Sequence, residues 1–443
     1  MKMFLSCLFI AFVIGFTTIQ TFCQNDNAIS ENFREGEYFF KRGEYKNAVM
    51  YYIKLVAIDS LNSNYNFKVG ECYLNIPSKE HLAIPYFEVA VKNVVPKKKY
   101  KRRSQEERNA PLHAYFYLGN AYRINNKLDK ALESYAKFID SPFFWGNYNP
   151  GIVEREIKSC ERAKIIQDAP IEYEKINLGE AINSRFSEER PVVSGDGNTL
   201  VFIRRLQFYD AIFYSVKENG KWRKAKNINP QILSDGEFYP SGLSHDGSQL
   251  LLIKKESETS NIYISYLEVD NWSEAIEADN NLNSNSSEIH ASFDREGNTI
   301  YITSNRSKSK GGYDIFKSKL TSKGTWSKPK NLGKTINSEF NEQGAYNYSI
   351  PGVLFFSSKG HYNMGGFDIF YSRRTGKKWS IPVNIGYPIN DTRDNLNYCP
   401  SEKLKEGYYA INDSQGLGQF DIFLIKIKSL SVLNFELEDE KEQ

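Results

Sequence analysis

Histidine and cysteine are scarce, five of each in 443 residues. The histidines (His81, His113, His245, His290 and His361) follow no metal-ligand spacing, so the sequence carries no metal-centre signature. Cys7 and Cys23 lie near the N-terminus, and Cys72, Cys160 and Cys399 are far apart and odd in number. That excludes a disulfide framework or a CxxC site and leaves buried small hydrophobes. Beyond the N-terminus no apolar run is long enough to span a bilayer. Neither sign of charge dominates, with 57 Lys and Arg against 54 Asp and Glu, so bulk electrostatics do not point to nucleic acid. There is no GxSxG stretch, and SGDGNT and SHDGSQ read as tight turns. Neither catalytic residues nor a cofactor are expected.

Aromatic residues, by contrast, are abundant, with 29 Tyr and 29 Phe, which favours packed sheets and helices over disorder. At roughly 150 residues per domain the length suggests two or three domains. The opening MKMFLSCLFIAFVIGFTTIQTFCQ places a lysine before an apolar run from Met3 to Phe16, then small and polar residues. This is the layout of a secretory signal peptide over residues 1–23, cleaved before Gln24, with lipidation of Cys23 as the alternative. The chain is therefore expected to be exported.

Residues 28–168 read as helical pairs. Gly36, Phe39, Ala48 and Tyr52 recur at the same offsets as Gly119, Tyr122, Ala131 and Tyr135. A middle copy, Gly70, Tyr73, Ala83, Phe87 and Ala90, is displaced by one residue around Pro77. Glycine inside a helix costs about 1 kcal/mol relative to alanine, so its recurrence asks for a close-packing reason. The pattern resembles the tetratricopeptide repeat, a helix–turn–helix unit of about 34 residues. Gly70 and Gly119 are 49 apart instead, the excess being a basic insertion, residues 96–111 (PKKKYKRRSQEERNAP), that reads as a solvated loop or a docking patch for an anionic surface. The resemblance implies a concave groove for peptide segments, lined by Glu37, Lys41, Glu71, Asn120 and Arg123. A helix from Ile152 to Ile166 is expected to cap the array.

Residues 169–428 repeat one unit five times. GGYDIF, GGFDIF and GQFDIF place Asp314, Asp368 and Asp421 at spacings that continue from Ala211 and Asn261: 50, 53, 54 and 53. Trp222, Trp272, Trp326 and Trp379 follow at one place in the unit. Short β-branched and aromatic runs separated by Asp-Gly, Gly-Gly and Lys-Gly turns make each unit a four-stranded meander. Such units at this period predict an all-β propeller of five blades, with six the alternative. The last copy lacks the tail seen in WSKPKNLGKTINSEFNE, and that tail stands before the first blade as YEKINLGEAINSRFSEE. An N-terminal strand is thus expected to close the ring, leaving residues 429–443 as an acidic tail.

The unit resembles the WD40-like PD40 repeat of TolB-like proteins through its SxDG turn, Ser304-Asn305-Arg306, GG(Y/F)DIF and WSxPxNLG stretches. Together, a signal, tetratricopeptide repeats and a PD40 propeller resemble envelope proteins of Bacteroidota, including PorE-type accessory components of type IX secretion and gliding. Members of that group often carry an OmpA-like domain; here an acidic tail, LEDEKEQ, follows the propeller, and direct cell-wall anchoring is not expected. The resemblance implies a periplasmic or outer-membrane-associated, non-catalytic scaffold that binds envelope proteins or peptide segments. The alternative is a glycan-binding or glycan-processing propeller. Loops after each second strand begin with Arg204, Arg205, Lys254, Lys255, Arg306, Lys308, Lys310, Lys359 and His361. They form a candidate rim for an acidic protein surface or anionic glycan.

Overall fold

The computed structural model describes residues 27–256, 259–347, 352–403 and 405–428. The expected signal peptide and acidic tail lie outside the described residues. The chain forms two units, the first running through Cys160 and the second from Glu161.

In the first unit helices pair as the glycine spacing predicts. They are α1 (residues 27–41), α2 (Tyr45–Ile58), α3 (Ser63–Leu74), α4 (Ala83–Ala90), α5 (Ala114–Ile124) and α6 (Leu128–Ile139); α7 (Pro150–Gln167) follows and carries the chain from the first unit into the second. A Cβ on Gly36 would stand 2.5 Å from the Tyr52 ring and one on Gly70 2.6 Å from the Phe87 ring. Gly119 meets Tyr135 in the same way. The glycine of each first helix therefore makes room for the aromatic ring of its partner helix, which is wholly buried in all three pairs. The one-residue displacement of the middle copy is taken up by a 3₁₀ turn, Glu80–Leu82, before α4. Pro85 then falls in the first turn of α4, where its missing N–H has no partner to lose.

In the second unit five antiparallel sheets follow one another along the chain. Blade 1 runs from an inner strand Ser187–Val193 through Thr199–Arg205 and Asp210–Glu218 to short outer strands Lys221–Trp222 and Lys226–Asn227. Blade 2 repeats this with Phe238–Leu243, Gln249–Lys255, Ser260–Glu268, Asn271–Trp272 and Ile276–Glu277. Blade 3 has Glu288–Phe293, Thr299–Ser304, Asp314–Lys319 and Lys330–Asn331. Blade 4 has Glu342–Tyr346, Val353–Ser358, Asp368–Thr375, Lys378–Trp379 and Val383–Asn384. Blade 5 takes Cys399–Pro400, Glu406–Ile411 and Asp421–Ile427 from the C-terminal end, and its outer strand is Tyr173–Asn177.

That last strand pairs antiparallel with Asp421–Ile427, Asn177 opposite Phe423 and Tyr173 opposite Ile427. The ring thus has five blades and closes with the strand the displaced tail predicts, which covers the edge that Asp421–Ile427 would otherwise leave open. Apolar clusters fill the blade junctions: Val192, Ile212, Leu243 and Leu252 join blades 1 and 2, and Val353, Tyr371, Phe423 and Ile425 join blades 4 and 5. The repeated tryptophans lean on the preceding blade, Trp272 edge-on to Tyr214 and Trp222 edge-on to Tyr408.

The segment after each outer strand ends in an asparagine, buried in four of the five (Asn183, Asn229, Asn337 and Asn390) and half-buried at Asn283. Asn183 accepts from the Ile422 N–H (2.8 Å), donates to the Ile422 carbonyl (3.0 Å) and donates to Asn177 Oδ1 (2.8 Å). Asn337 and Asn390 do the same to Ile315 and Ile369. Replacing Asn183 by alanine strands a buried N–H and a buried C=O at the point of ring closure. Asn183→Ala is expected to lower stability by about 2–4 kcal/mol in denaturant unfolding, and an unchanged midpoint would refute the brace.

Candidate functional site

The DIF aspartates begin third strands and hold loops, as the repetition predicts. Asp314 accepts from the N–H groups of Lys310 (2.8 Å) and Gly311 (3.0 Å) and from Asn331 Nδ2 (2.7 Å). Asp421 accepts from Leu417, Gly418 and Asn177 in the same arrangement. These carboxylates serve the blade and face no solvent.

The predicted rim cations separate into two groups. Arg204 bonds the Glu188 carboxylate (2.6 Å) and the Ile182 carbonyl (2.7 Å). Arg306 bonds Glu288 (2.9 Å) and the Leu282 carbonyl, and the His361 ring nitrogen Nε2 lies 2.9 Å from the Ile336 carbonyl. Each reaches the same place in the preceding crossover, so these three tie crossovers to blades. Arg205 grips Glu189 with two nitrogens (2.7 and 2.9 Å) and also Asp210. Lys254 stands over the Phe238 and Tyr263 rings, 3.9 Å from Glu237, and Lys359 stands over Phe367. Lys255, Lys308 and Lys310 are exposed. The equivalent loop of blade 1, after its second strand, presents Phe208, 88% exposed, and Tyr209. Charge spacing had no means of finding this aromatic pair; a Leu-Gln-Phe-Tyr loop between two strands was the available signal.

The inner-strand carboxylates Glu188, Glu288 and Glu342 are fully buried. Two of them face an arginine, whereas Glu342 meets hydroxyls: Ser338 Oγ (2.5 Å) and Ser358 Oγ (2.7 Å), with the Ser338 N–H at 3.0 Å. Gly360 stands where blade 3 has Arg306. Burial first, with Asp314 adding repulsion, pushes the Glu342 carboxyl up to about 7 despite those hydrogen bonds. The folded state therefore holds a proton that the unfolded chain releases near 4.5. Stability from this group is complete below that value and falls as pH rises to about 7, by roughly 3 kcal/mol. Glu342→Gln is expected to flatten this part of the pH–stability curve and to exceed the parent in stability at about pH 8; parallel curves for the two proteins would refute it.

In the helical unit the five groove positions also divide. Glu37 accepts from Tyr52 Oη (2.7 Å) and Lys68 Nζ (2.5 Å). Glu71 meets Arg102 of the basic insertion (3.2 Å), and Arg123 meets Glu156 (3.0 Å). Asn120 accepts from Tyr135 Oη (2.7 Å), and Lys41 is exposed. Burial alone would raise the Glu37 carboxyl, but Lys68 holds it below its ordinary value, while burial lowers Lys68 and raises Glu71. The insertion is anchored through Arg102 and through Arg108 on Asp59 (2.6 Å), leaving Lys97, Lys98, Lys99, Lys101 and Arg103 exposed. Lys68→Met leaves a buried carboxylate without its cation, with an expected loss of about 3–5 kcal/mol. The double change Glu37→Gln, Lys68→Met should recover most of it, and additive losses in the thermal melts would overturn the pairing.

Cys72, Cys160 and Cys399 are buried and unpaired with one another. Among the described residues no group of three His, Cys, Asp or Glu side chains is placed to hold a metal ion. No helix among them is long and apolar enough to cross a membrane.

At the ring axis, register places Val192, Gly242, Ser292, Tyr346 and Cys399 in one layer. Four are small or medium, and Tyr346 fills the space they leave. Its hydroxyl donates to the Ser241 carbonyl of blade 2 (3.2 Å), its ring meets His290 of blade 3, and it packs with Val193 and Cys399 of blades 1 and 5. Gly242 is required because a Cβ there would stand 2.7 Å from the Ala291 carbonyl.

These residues define a helical-repeat unit and a five-bladed propeller closed by its N-terminal strand and plugged at its axis. No family model matches the chain, and no curated protein does. Among solved structures it is similar to TolB from Acinetobacter baumannii, at 16% identity over 56% of each chain and a TM-score of 0.37. The chain thus spans just over half the length of that TolB. It is similar also to an α-L-arabinofuranosidase from Podospora anserina in complex with cellotriose, at 11% identity over 59% of this chain and 98% of that one, TM-score 0.37. The first tetratricopeptide-repeat domain of Spaghetti (RPAP3), bound to an HSP90 peptide, matches 31% of this chain and 97% of its own at 19% identity, TM-score 0.24. At such identities the likeness concerns fold, and no activity is carried over.

Proposed function

We propose that the protein is an exported, non-catalytic interaction scaffold of the bacterial envelope, serving as an accessory part of a secretion or gliding machinery. The observation that carries this reading is the division of charge in the propeller. Its buried acids and several of its cations are spent on holding crossovers to blades. Exposed at the loops joining second to third strands are an aromatic pair, Phe208 and Tyr209, and Lys255, Lys308 and Lys310, together with Glu256, Tyr362 and Leu417. Exposed aromatic anchors among cations suit an acidic protein surface. Lys41 and the exposed lysines of the basic insertion offer a second contact of the same sign. The glycan-processing alternative needs two carboxylates open to substrate. Here Glu188, Glu288 and Glu342 are buried and Glu189 is held by Arg205, which favours the scaffold.

Affinity capture from envelope extract should recover a defined partner with the full chain. Phe208→Ala with Tyr209→Ala should reduce its recovery about tenfold or more, and Lys255, Lys308 and Lys310 changed to Glu should do the same. Equal recovery by all variants would remove the rim from the proposal. Turnover of a polysaccharide, lost on changing a single carboxylate, would end the scaffold reading.

A further inference from the structure

The connections of the helical unit fall on two edges. Successive helices pack on one another and reverse direction. The α2–α3 (59–62), α4–α5 (91–113) and α6–α7 (140–149) connections therefore share one edge, and the turns within the α1–α2, α3–α4 and α5–α6 pairs share the other. Contacts along the first edge bear this out. Arg108 of the basic insertion reaches Asp59 of the α2–α3 connection (2.6 Å), and Lys97 lies over the Tyr148 ring of the α6–α7 connection, 5.9 Å from its centre.

The two edges differ in what they expose. Among the described residues of this unit seven large apolar side chains are exposed, and five of them stand at the first edge: Ile58, Leu61, Phe143, Trp145 and Ile152. Leu61 is 70% exposed and Trp145 63%. Of the other two, Met50 lies midway along α2, and Tyr38 alone is near the opposite edge. The α6–α7 connection holds its outward rings on a packed base. Phe144 is buried against Phe138 and Tyr148, while its neighbours Phe143 and Trp145 are exposed. Between the apolar ends of this edge stands the insertion, with Lys97, Lys98, Lys99, Lys101 and Arg103 exposed. The exposed acids in the three connections are two, Glu106 and Asp140.

A peptide segment would be met in the concave groove, whereas these side chains project from the ends of helices. Apolar tips flanking a cluster of lysines match a bilayer that contains anionic lipid. Lysine heads pair with phosphates, and indole, phenyl and aliphatic groups reach the acyl boundary. We propose that this edge of the helical unit lies on the surface of an anionic lipid bilayer, with Leu61, Phe143 and Trp145 at the acyl boundary and the insertion lysines at the headgroups. This rests on the scaffold reading, in which those lysines are a second cationic contact, and gives that contact lipid as its partner.

Co-sedimentation of the chain from Gln24 onward with vesicles tests it. Binding is expected to vesicles of phosphatidylglycerol and phosphatidylcholine. It should weaken about tenfold or more with phosphatidylcholine alone, and likewise on raising salt to about 0.5 M. Phe143→Ser with Trp145→Ser should cut binding about tenfold or more, and Lys97, Lys98 and Lys99 changed to Glu should do the same. All five positions are exposed, so the melting temperature should hold. Phe208→Ala with Tyr209→Ala should bind vesicles as the parent does, so loss of the rim and loss of this edge are read separately. Equal binding to neutral and anionic vesicles, no binding to either, or parental binding by the Phe143 and Trp145 variant would overturn the proposal. A chain that ignores vesicles but loses its captured envelope protein on that same double change would assign the edge to a protein instead.

Discussion

A propeller holds together only if each crossover is pinned to the blade it leaves, because a four-stranded sheet alone cannot fix the angle to its neighbour. Here that constraint is met by a buried asparagine on the crossover, whose amide completes the main-chain hydrogen bonds of the third strand. Asn183, Asn337 and Asn390 occupy this position, and Asn229 and Asn283 receive the Ile212 and Ile262 N–H groups in blades 1 and 2. Side-chain amides suit the task because they supply a donor and an acceptor without carrying charge into the interior. The DIF aspartate, the outer-strand asparagine and the carboxylate–arginine pairs are arranged around that amide.

Seen this way, the repetition of DIF and of the following Asn-Leu-Gly reflects one hydrogen-bond circuit made several times. The circuit accounts for the closure as well. Asn177, on the strand supplied from before blade 1, does for Asp421 what Asn331 does for Asp314, at 2.8 and 2.7 Å. The N-terminal strand carries its own copy of the circuit, so blade 5 is completed by chemistry as well as by shape.

Fold was legible in the sequence because turn residues and aromatic spacings are local. Blade number, the third-strand identity of DIF, ring closure and the glycine–aromatic pairing of helices all follow from short motifs that recur as copies, so each copy confirms the others. The fate of charge was not. Whether Arg204 faces solvent depends on Glu188, sixteen residues earlier, and on the Ile182 carbonyl at the crossover. Glu37 depends on Lys68 of another helix, and Glu71 on Arg102 in what reads as a solvated loop. A signal did exist: Ser184 and Glu188, Ser284 and Glu288, Ser338 and Glu342 share a four-residue spacing, each before a second strand ending in Arg or Ser. Periodic acids upstream of periodic cations are a pairing pattern, and only the register tells it from a charged rim.

The axis is where the copies differ, and for a geometrical reason. Around a blade junction every position has an equivalent neighbour, so identical residues suffice. On the axis five equivalent positions converge on one space, and five copies of any large side chain would collide. One layer is accordingly solved by Tyr346 with Gly242 opposite, and the residues two places earlier on the five inner segments, Arg190, Pro240, His290, Gly344 and Asn397, are no two alike. Arg190, Gly344 and Asn397 share a left-handed backbone at this level, φ between 52° and 67°, so the backbone keeps the symmetry that the side chains break. Non-equivalent side chains on an equivalent backbone are how five like segments share one axis.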